Sequence, residues 1–284
     1  MKISVLLLGL VAWCSCAQAG EAVTARVVSQ TVGTDELLLA VAEPSQIAAL
    51  SDLALKPEFS AVAEEAKHYP QLAQNCDLEG VLKYNPTLLL CADYSRAEIV
   101  AQARRAGIKV MVFNRYRTME DAYENLRLLA RELGPDAKAR AERVIADCER
   151  RIAVLRKKLQ GVQPVRVIAP STYGVIPGDE STFQDLCDHA GAENLAATLG
   201  KLHGHEAPPT EQMLTWPVDR LVVAGDGVAD ALVPFKSLPP YAFMASVKEN
   251  RAVLLRQYQL SCVSYHRIEA YELLARELHP ERFL

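Results

Sequence analysis

The chain has 284 residues, of which 31 are Lys or Arg and 35 are Asp or Glu, giving a formal net charge of −4. Hydrophobic residues make up 50% and charged residues 23%, a composition typical of a folded globular chain rather than a disordered one. No basic block is present, which argues against nucleic acid as the partner.

The amino-terminal segment, residues 1–19, has the layout of a secretory signal peptide. Lys2 gives a positive start, residues 3–16 are an apolar run, and the last three residues are a small-x-small cleavage site. Because a membrane-spanning helix needs about 20 apolar residues, the run is too short to be one. We expect cleavage and a soluble periplasmic product. The alternatives are an uncleaved anchor and a lipoprotein attached through Cys14 or Cys16.

The cysteines that remain after cleavage are Cys76, Cys91, Cys148, Cys187 and Cys262. Their wide spacings contain no CxxC pair, which argues against a zinc ribbon. In an oxidising compartment this odd number allows at most two disulfides and leaves one thiol, and the spacings do not assign the pairs.

Short apolar runs alternate with helical patterns in the first half of the chain. The runs predict strands at residues 26–29, 46–50, 87–92 and 109–113, and the patterns between them predict helices at 35–42, 78–84 and 96–106. The third helix has Ser95 and Glu98 in capping-box spacing and ends at Gly107. This alternation predicts parallel βα units and therefore an α/β lobe.

Two consecutive helices follow in the middle of the chain. Thr118 and Asp121 form a capping box for a helix that ends at Leu133. Apolar residues then repeat at intervals of three and four over residues 136–159, which predicts a helix of ~36 Å with one apolar stripe. Its position midway along the chain favours a rigid connection between two lobes.

The βα pattern begins again after Gly161. Strands are predicted at residues 165–169, 220–224 and 252–255, and helices at 182–190, 211–216 and 265–278. The resulting division is a signal peptide at 1–19, an N-terminal α/β lobe at 20–135, a connecting backbone helix at 136–161 and a C-terminal α/β lobe at 162–284.

Two segments about 132 residues apart share one pattern, one around Glu79 and the other around Glu211. Each has a cap residue, the glutamate in the first turn, a leucine three residues later and an aromatic residue two beyond that, before a proline and a buried strand. Either glutamate alone is explained by the helix dipole. The repetition of the whole unit indicates one exposed acidic residue at a corresponding place on each lobe.

The order of these motifs resembles that of the helical-backbone (class III) periplasmic binding proteins, which serve ABC importers of vitamin B12, haem and ferric siderophores. The motifs are TDELLLA, DLEGVLKYNPTLLL, AGIKVMVF, MEDAYENLRLLARELG, GDESTFQDLCDHAGAENLA, PTEQMLTWPVDRLVVA and LLARELHPERF. The resemblance covers nearly all of the chain after residue 19.

The resemblance implies two Rossmann-like lobes with parallel sheets joined by one long backbone helix, and a ligand cleft between the lobes. It implies a monomer without intrinsic cofactor or enzymatic activity, whose partners are an ABC permease dimer with its cytoplasmic ATPase and a small metal chelate. It also implies that Glu79 and Glu211 dock on arginines of the two permease subunits.

Residues that follow predicted strand ends are candidates for the cleft, because ligands bind beyond the carboxyl ends of parallel strands. These candidates are Thr31, Tyr94, Arg115, Tyr116, Tyr173 and Tyr258. Tyrosines suit a flat or iron-chelating ligand through stacking and phenol hydrogen bonds. Arg115 can neutralise an anionic chelate. Half-buried or solvated loop positions are the alternative reading for each of them.

The segment around His203 and His205 is the most metal-like cluster. Two histidines two residues apart, beside Glu206, can ligate a transition metal if the loop folds suitably, and an ordinary exposed pair is the alternative. In some catecholate-siderophore binders of the family, a histidine before the second docking glutamate and a tyrosine near the last strand coordinate iron. That would give these roles to His203 or His205 together with Tyr258.

A ferric siderophore is therefore the expected ligand. Haem binders of the family place a tyrosine just ahead of the first docking glutamate, where His68 and Tyr69 give no convincing match. The tryptophan-lined cleft of the B12 binders is not evident either, so haem and cobalamin are the alternatives in the same transport role. A free-metal metallochaperone and a secreted enzyme are alternatives of another class, but the sequence has no GxSxG, HExxH or paired CxxC motif.

Overall fold

The computed structural model describes residues 25–284, so the expected signal peptide at residues 1–19 lies outside the described part of the chain. Within that part, no helix has both the length and the hydropathy that a membrane crossing requires.

The first lobe is built on a parallel sheet in the order β2-β1-β3-β4. Its strands are β1 (Val27–Ser29), β2 (Ile47–Ala49), β3 (Leu88–Ala92) and β4 (Lys109–Phe113). Its helices are α1 (Val32–Val41), α2 (Ala63–Ala66), α3 (Leu78–Leu82), α4 (Ala97–Arg105) and α5 (Met119–Leu133), with a 3₁₀ turn at Pro44–Gln46. Every residue of β1, β2 and β3 is buried, as expected for a parallel sheet that is covered on both faces.

The second lobe repeats this plan with the parallel order β10-β9-β5-β7 and adds a small antiparallel pair, β6 with β8. Its strands are β5 (Val165–Ile168), β6 (Ile176–Pro177), β7 (Ala192–Asn194), β8 (His205–Glu206), β9 (Arg220–Ala224) and β10 (Ala252–Leu255). Its helices are α7 (Thr182–Ala190), α8 (Leu195–Thr198), α9 (Thr210–Met213), α10 (Val228–Ala231), α11 (Ala245–Lys248), α12 (Gln257–Leu260) and α13 (Arg267–Leu278). Short 3₁₀ turns lie at Val233–Lys236, Tyr241–Phe243 and Pro280–Arg282.

One long helix, α6 (Pro135–Lys158), lies between the two lobes. It packs on α1 and α5 of the first lobe and on α7 and α13 of the second. Its buried stripe of Ala141, Ile145, Cys148 and Leu155 belongs to a single hydrophobic core that includes strand residues of both sheets. The predicted connecting helix is therefore a packed part of both lobes.

A buried guanidinium adds a polar link between the lobes. Arg267 Nη1, at the start of α13, donates to Asp185 Oδ2 and to the Arg117 carbonyl, both at 2.7 Å. Arg267 Nη2 donates to the Tyr116 carbonyl at 2.6 Å and to the Cys262 carbonyl at 3.1 Å. One side chain of the second lobe thus holds the loop that follows β4 in the first lobe.

Of the helix starts predicted from capping residues, some are confirmed and others are wrong. The capping box at Thr118 and Asp121 is confirmed. The one at Ser95 is wrong, because α4 begins one residue later and Ser95 Oγ instead accepts a hydrogen bond from the Ala92 amide at 3.1 Å. In the repeated unit around Glu211, the expected cap residue is Thr210. This expectation is wrong, because Pro209 occupies the cap position and Thr210 is the first helical residue.

The five cysteines at positions 76, 91, 148, 187 and 262 are free thiols, so no disulfide forms among residues 25–284. Four of them are buried and Cys76 is half-buried. They act mainly as small apolar side chains in the packing of the lobes.

Candidate functional site

A cavity of about 550 Å³ opens between the lobes, at the carboxyl ends of β1, β2 and β3. The first lobe contributes most of its wall, and the second lobe contributes residues 258 and 261–263. Its polar and aromatic lining residues are Gln30, Thr31, Glu36, Ser51, Asp52, Phe59, Gln74, Asn75, Cys76, Tyr94, Ser95, Arg96, Tyr258, Ser261 and Cys262. The volume is within the range of ~300–1,000 Å³ that is typical of small-molecule sites.

The start of α1 forms a part of this wall that lies against the second lobe. Thr31 caps the helix by accepting from the Thr34 amide at 3.3 Å. A Cβ placed on Gly33 would lie 2.5 Å from Val263 Cγ2, so a glycine is needed for the backbone of α1 to approach the second lobe. The capping threonine thus lies beside the lobe contact, as expected for a cleft residue.

Two consecutive buried acids follow on the same helix. Asp35 is fully buried and accepts from the Ser51 amide at 3.0 Å and from Ser51 Oγ at 2.5 Å. Burial raises the pKa of Asp35 to about 7, although the bonds from serine oppose the shift. This carboxyl is therefore partly protonated near neutral pH.

Glu36, the next residue, borders the cavity although it is 2% exposed. Its Oε1 accepts from the Ala61 amide at 3.0 Å, and its Oε2 faces the Cys262 thiol across the lobe boundary at 4.0 Å. Burial raises the pKa of Glu36 against the opposing charge of His266 and the Ser264 hydroxyl. Among residues 25–284, neither Glu36 nor its neighbour forms a salt bridge with a Lys, Arg or His side chain.

Tyr258 forms part of the wall that the second lobe contributes. Its hydroxyl donates to Glu269 Oε2 at 2.7 Å, and His266 Nδ1 lies 2.9 Å from Glu269 Oε1. Burial and the bond to Glu269 raise the pKa of Tyr258 to about 12. The phenol is therefore protonated and its oxygen is engaged within the second lobe.

Tyr94 lies at the mouth of the cavity and is 61% exposed. Its ring meets that of Tyr116 edge to face, with the centroids 6.3 Å apart. Tyr116 itself does not line the cavity, and its hydroxyl donates to Asp93 Oδ1 at 3.1 Å. Tyr94 is thus the one of this pair that is available to a ligand in the cavity.

Arg115 and Tyr173 lie away from the cavity lining. Arg115 pairs with Asp121 at 3.1 Å and with Glu124, two acids on the helix that follows its loop. Tyr173 is 90% exposed on the loop after β5. Of the six predicted ligand residues, the structure brings together Thr31, Tyr94 and Tyr258.

The predicted metal residues lie on the second lobe's own surface, outside this cavity lining. His205 is in β8, which pairs with β6, and His203 Nδ1 lies 2.7 Å from Asp179 Oδ1. Within the described chain, no group of three or more His, Cys, Asp or Glu side chains is arranged to hold a metal ion.

Sequence reasoning missed Glu36, Cys76 and Cys262 as cavity residues. An acid in the first turns of a helix is usually explained by the helix dipole, which hides the burial of Glu36. Cys262 meets Glu36 across 226 residues of sequence, and no local pattern predicts such a contact.

The two repeated glutamates occupy matching surface positions. Glu79 and Glu211 are exposed in the first turns of α3 and α9. In each case an exposed leucine follows three residues later, Leu82 at 41% and Leu214 at 54% exposure. Each lobe therefore presents an acidic residue beside an apolar one on a short helix.

A family model described as a periplasmic binding protein matches residues 27–258. A comparison with curated proteins gives no significant match.

Solved structures of similar fold come from several bacteria. The haem-binding protein RhuT of Roseiflexus sp. RS-1 is 22% identical, with 91% of this chain and 99% of that chain covered and a TM-score of 0.76. The haem-binding protein HutB of Vibrio cholerae is 20% identical, with 90% and 100% covered and a TM-score of 0.74. Helicobacter pylori CeuE with Ni(II) bound is 17% identical, with 92% and 85% covered and a TM-score of 0.70. At these identities the likeness establishes the two-lobed fold.

Proposed function

Because the chain belongs to the periplasmic binding protein family, we propose that it is the solute-binding component of an ABC importer and that it captures a metal chelate in the periplasm, with a ferric siderophore as the favoured cargo. The observation that carries this proposal is the cavity of about 550 Å³ between the lobes, at the strand ends where α/β lobes bind ligands.

The lining of the cavity favours a polar chelate. The amides of Gln30, Gln74 and Asn75 line it and can hydrogen-bond to ligand carbonyl or hydroxamate oxygens. Haem carries two carboxylates, whereas acids outnumber bases in the lining, with Glu36 and Asp52 against Arg96.

Haem is the second candidate, and a different part of the cavity favours it. The exposed rings of Phe59 and Tyr94 line the same opening and offer faces on which a flat macrocycle can stack. RhuT and HutB, whose folds are similar, are named haem-binding proteins.

Calorimetric titration of the purified protein tests the proposal directly. Ferrioxamine B, ferric enterobactin, haemin and cyanocobalamin serve as probes, and we expect micromolar or tighter binding of a ferric siderophore with no chemical turnover. Calorimetry is preferable to tryptophan fluorescence because Trp216 is buried in a core cluster of the second lobe, outside the cavity lining. If none of the four probes binds, the proposal is wrong.

The matched faces on α3 and α9 support docking on the two permease subunits. Glu79 and Glu211 would meet basic residues, while Leu82 and Leu214 would pack against apolar surface beside them. Exposed ion pairs contribute only about 1 kcal/mol or less each, so they orient the complex more than they hold it together.

We expect the double variant Glu79→Gln/Glu211→Gln to retain chelate affinity and to lose most stimulation of the transporter's ATPase, because neither residue lines the cavity. The control is Glu98→Gln, which removes an exposed acid from the first turn of α4. Stimulation by the double variant equal to that by the control would contradict the docking role, and so would a loss of chelate affinity.

A further inference from the structure

The charged residues of the cavity are unevenly distributed. Its lining includes two acidic residues, Glu36 and Asp52, and one basic residue, Arg96. Arg96 Nη2 is already engaged, because it donates to the carbonyls of Asn75 at 3.2 Å and Cys76 at 2.5 Å. Acidic residues therefore outnumber basic ones among the residues that line the cavity.

Glu36 is buried without a cation to neutralise it. Its neighbours are the Ala61 amide, the Cys262 thiol and the Ser264 hydroxyl, which are neutral donors. His266 opposes the rise in the pKa of Glu36, but its Nδ1 is paired with Glu269 at 2.9 Å. A buried carboxylate without an ionic partner costs free energy, so its position at a cavity wall is best explained by a partner that arrives with the ligand.

We propose that Glu36 receives a protonated amine, or an equivalent cationic N–H donor, of the cargo, so that the protein selects metal chelates that carry a positive charge. This inference rests on the proposed function and narrows its substrate class. A charge-assisted hydrogen bond to Glu36 Oε2 would complete the coordination of the carboxylate.

The aromatic side chains of the cavity suit the same ligand. Tyr94 and Tyr258 line the cavity together with Glu36, and aromatic faces attract cations as well as stack on planar groups. A chelate with several negative charges, such as a ferric tricatecholate, would meet like charge at Glu36. The expected order of affinity is therefore cationic, then neutral, then anionic chelates.

The test compares two ferric chelates that differ by one charge. Ferrioxamine B carries a free protonated amine, and its N-acetylated form has the same iron centre with a neutral amide in that place. Calorimetry with the purified protein should give about tenfold tighter binding of the amine form, the size of a charge-assisted hydrogen bond at a desolvated site. In Glu36→Gln the ratio of the two affinities should fall to about one.

The surface variant Glu98→Gln serves as the control and should keep the wild-type ratio. Circular dichroism and urea unfolding establish whether Glu36→Gln is folded. The ratio of the two affinities measured with the wild-type protein tests the inference even if the variant does not fold. Equal or weaker binding of the amine form by the wild type overturns the inference but leaves the transport proposal standing. Binding of haemin alone among the probes overturns the inference and favours the haem alternative, and binding of no chelate overturns both proposals.

Discussion

Buried acids on two helices, α7 of the second lobe and α1 of the first, have partners of different kinds. In the second lobe, Asp185 is buried and meets the guanidinium of Arg267 at 2.7 Å and the hydroxyl of Tyr271. In the first lobe, Asp35 and Glu36 are at least as deeply buried and have amide, hydroxyl and thiol neighbours. Asp185 holds Arg267, which links the lobes through the Arg117 and Tyr116 carbonyls, whereas Glu36 borders the cavity.

The partner of each buried acid indicates its role: a permanent cationic partner indicates a structural role, and the lack of one indicates a role in binding. A buried charge is tolerated when it is paired and fully hydrogen-bonded. An unpaired one shifts its protonation equilibrium and stays available for a ligand. Three variants test whether that distinction between Asp185 and the acids of α1 is real.

The largest effect should come from Arg267→Met. The change leaves Asp185 buried without its cation and removes hydrogen bonds to three carbonyls, so we expect a loss of about 5 kcal/mol in the free energy of unfolding by urea. The control Arg166→Met breaks the half-exposed pair with Asp219 and should lose much less stability. Similar losses of stability in both variants would contradict a structural role for the buried pair of Asp185 and Arg267.

Asp35→Asn should change the pH dependence of stability. The folded state holds the Asp35 proton up to about pH 7, whereas the unfolded chain releases it near 3.8, so this group's contribution to stability is lost as the pH rises through that window. The difference between the two pKa values corresponds to about 4 kcal/mol. Urea unfolding between pH 4 and pH 8 should therefore show a flatter profile for the variant, and parallel profiles would contradict the raised pKa.

The smallest effect should come from Tyr271→Phe, which removes the phenol that hydrogen-bonds to Asp185. We expect a loss of about 2 kcal/mol in the free energy of unfolding. Tyr123→Phe is a matched control, because the buried Tyr123 hydroxyl has no hydrogen-bond partner in the described structure and its removal should be neutral or stabilising. An equal loss in both variants would mean that the removal of a buried hydroxyl group as such, and not the bond to Asp185, is responsible.

Local sequence patterns predicted most of the architecture. The strands at 109–113, 220–224 and 252–255 and the helix at 182–190 have the predicted bounds, because apolar runs and caps act over a few residues. The short strands β6, β7 and β8 are not predicted, since two or three residues carry no period. Their pairing depends on segments that are distant in sequence.

The cavity was predicted less completely than the fold. Thr31, Tyr94 and Tyr258 follow strands whose carboxyl ends meet at the opening, and that rule placed them correctly. Arg115 and Tyr116 also follow a strand, but their side chains are held by nearby acids outside the cavity. The position of a strand end predicts where a loop begins. It does not predict which residues the side chains of that loop contact.

The single core that runs through α6 also sets the cooperativity of the protein. Strand residues of both sheets belong to one large cluster with the stripe of this helix, and each lobe adds a smaller cluster of its own. Unfolding of one lobe would remove the packing surface that the shared cluster gives the other, so we expect the two lobes to unfold together. The cleft walls therefore form and disappear together, and a ligand that bridges them stabilises the whole chain by mass action rather than one half of it.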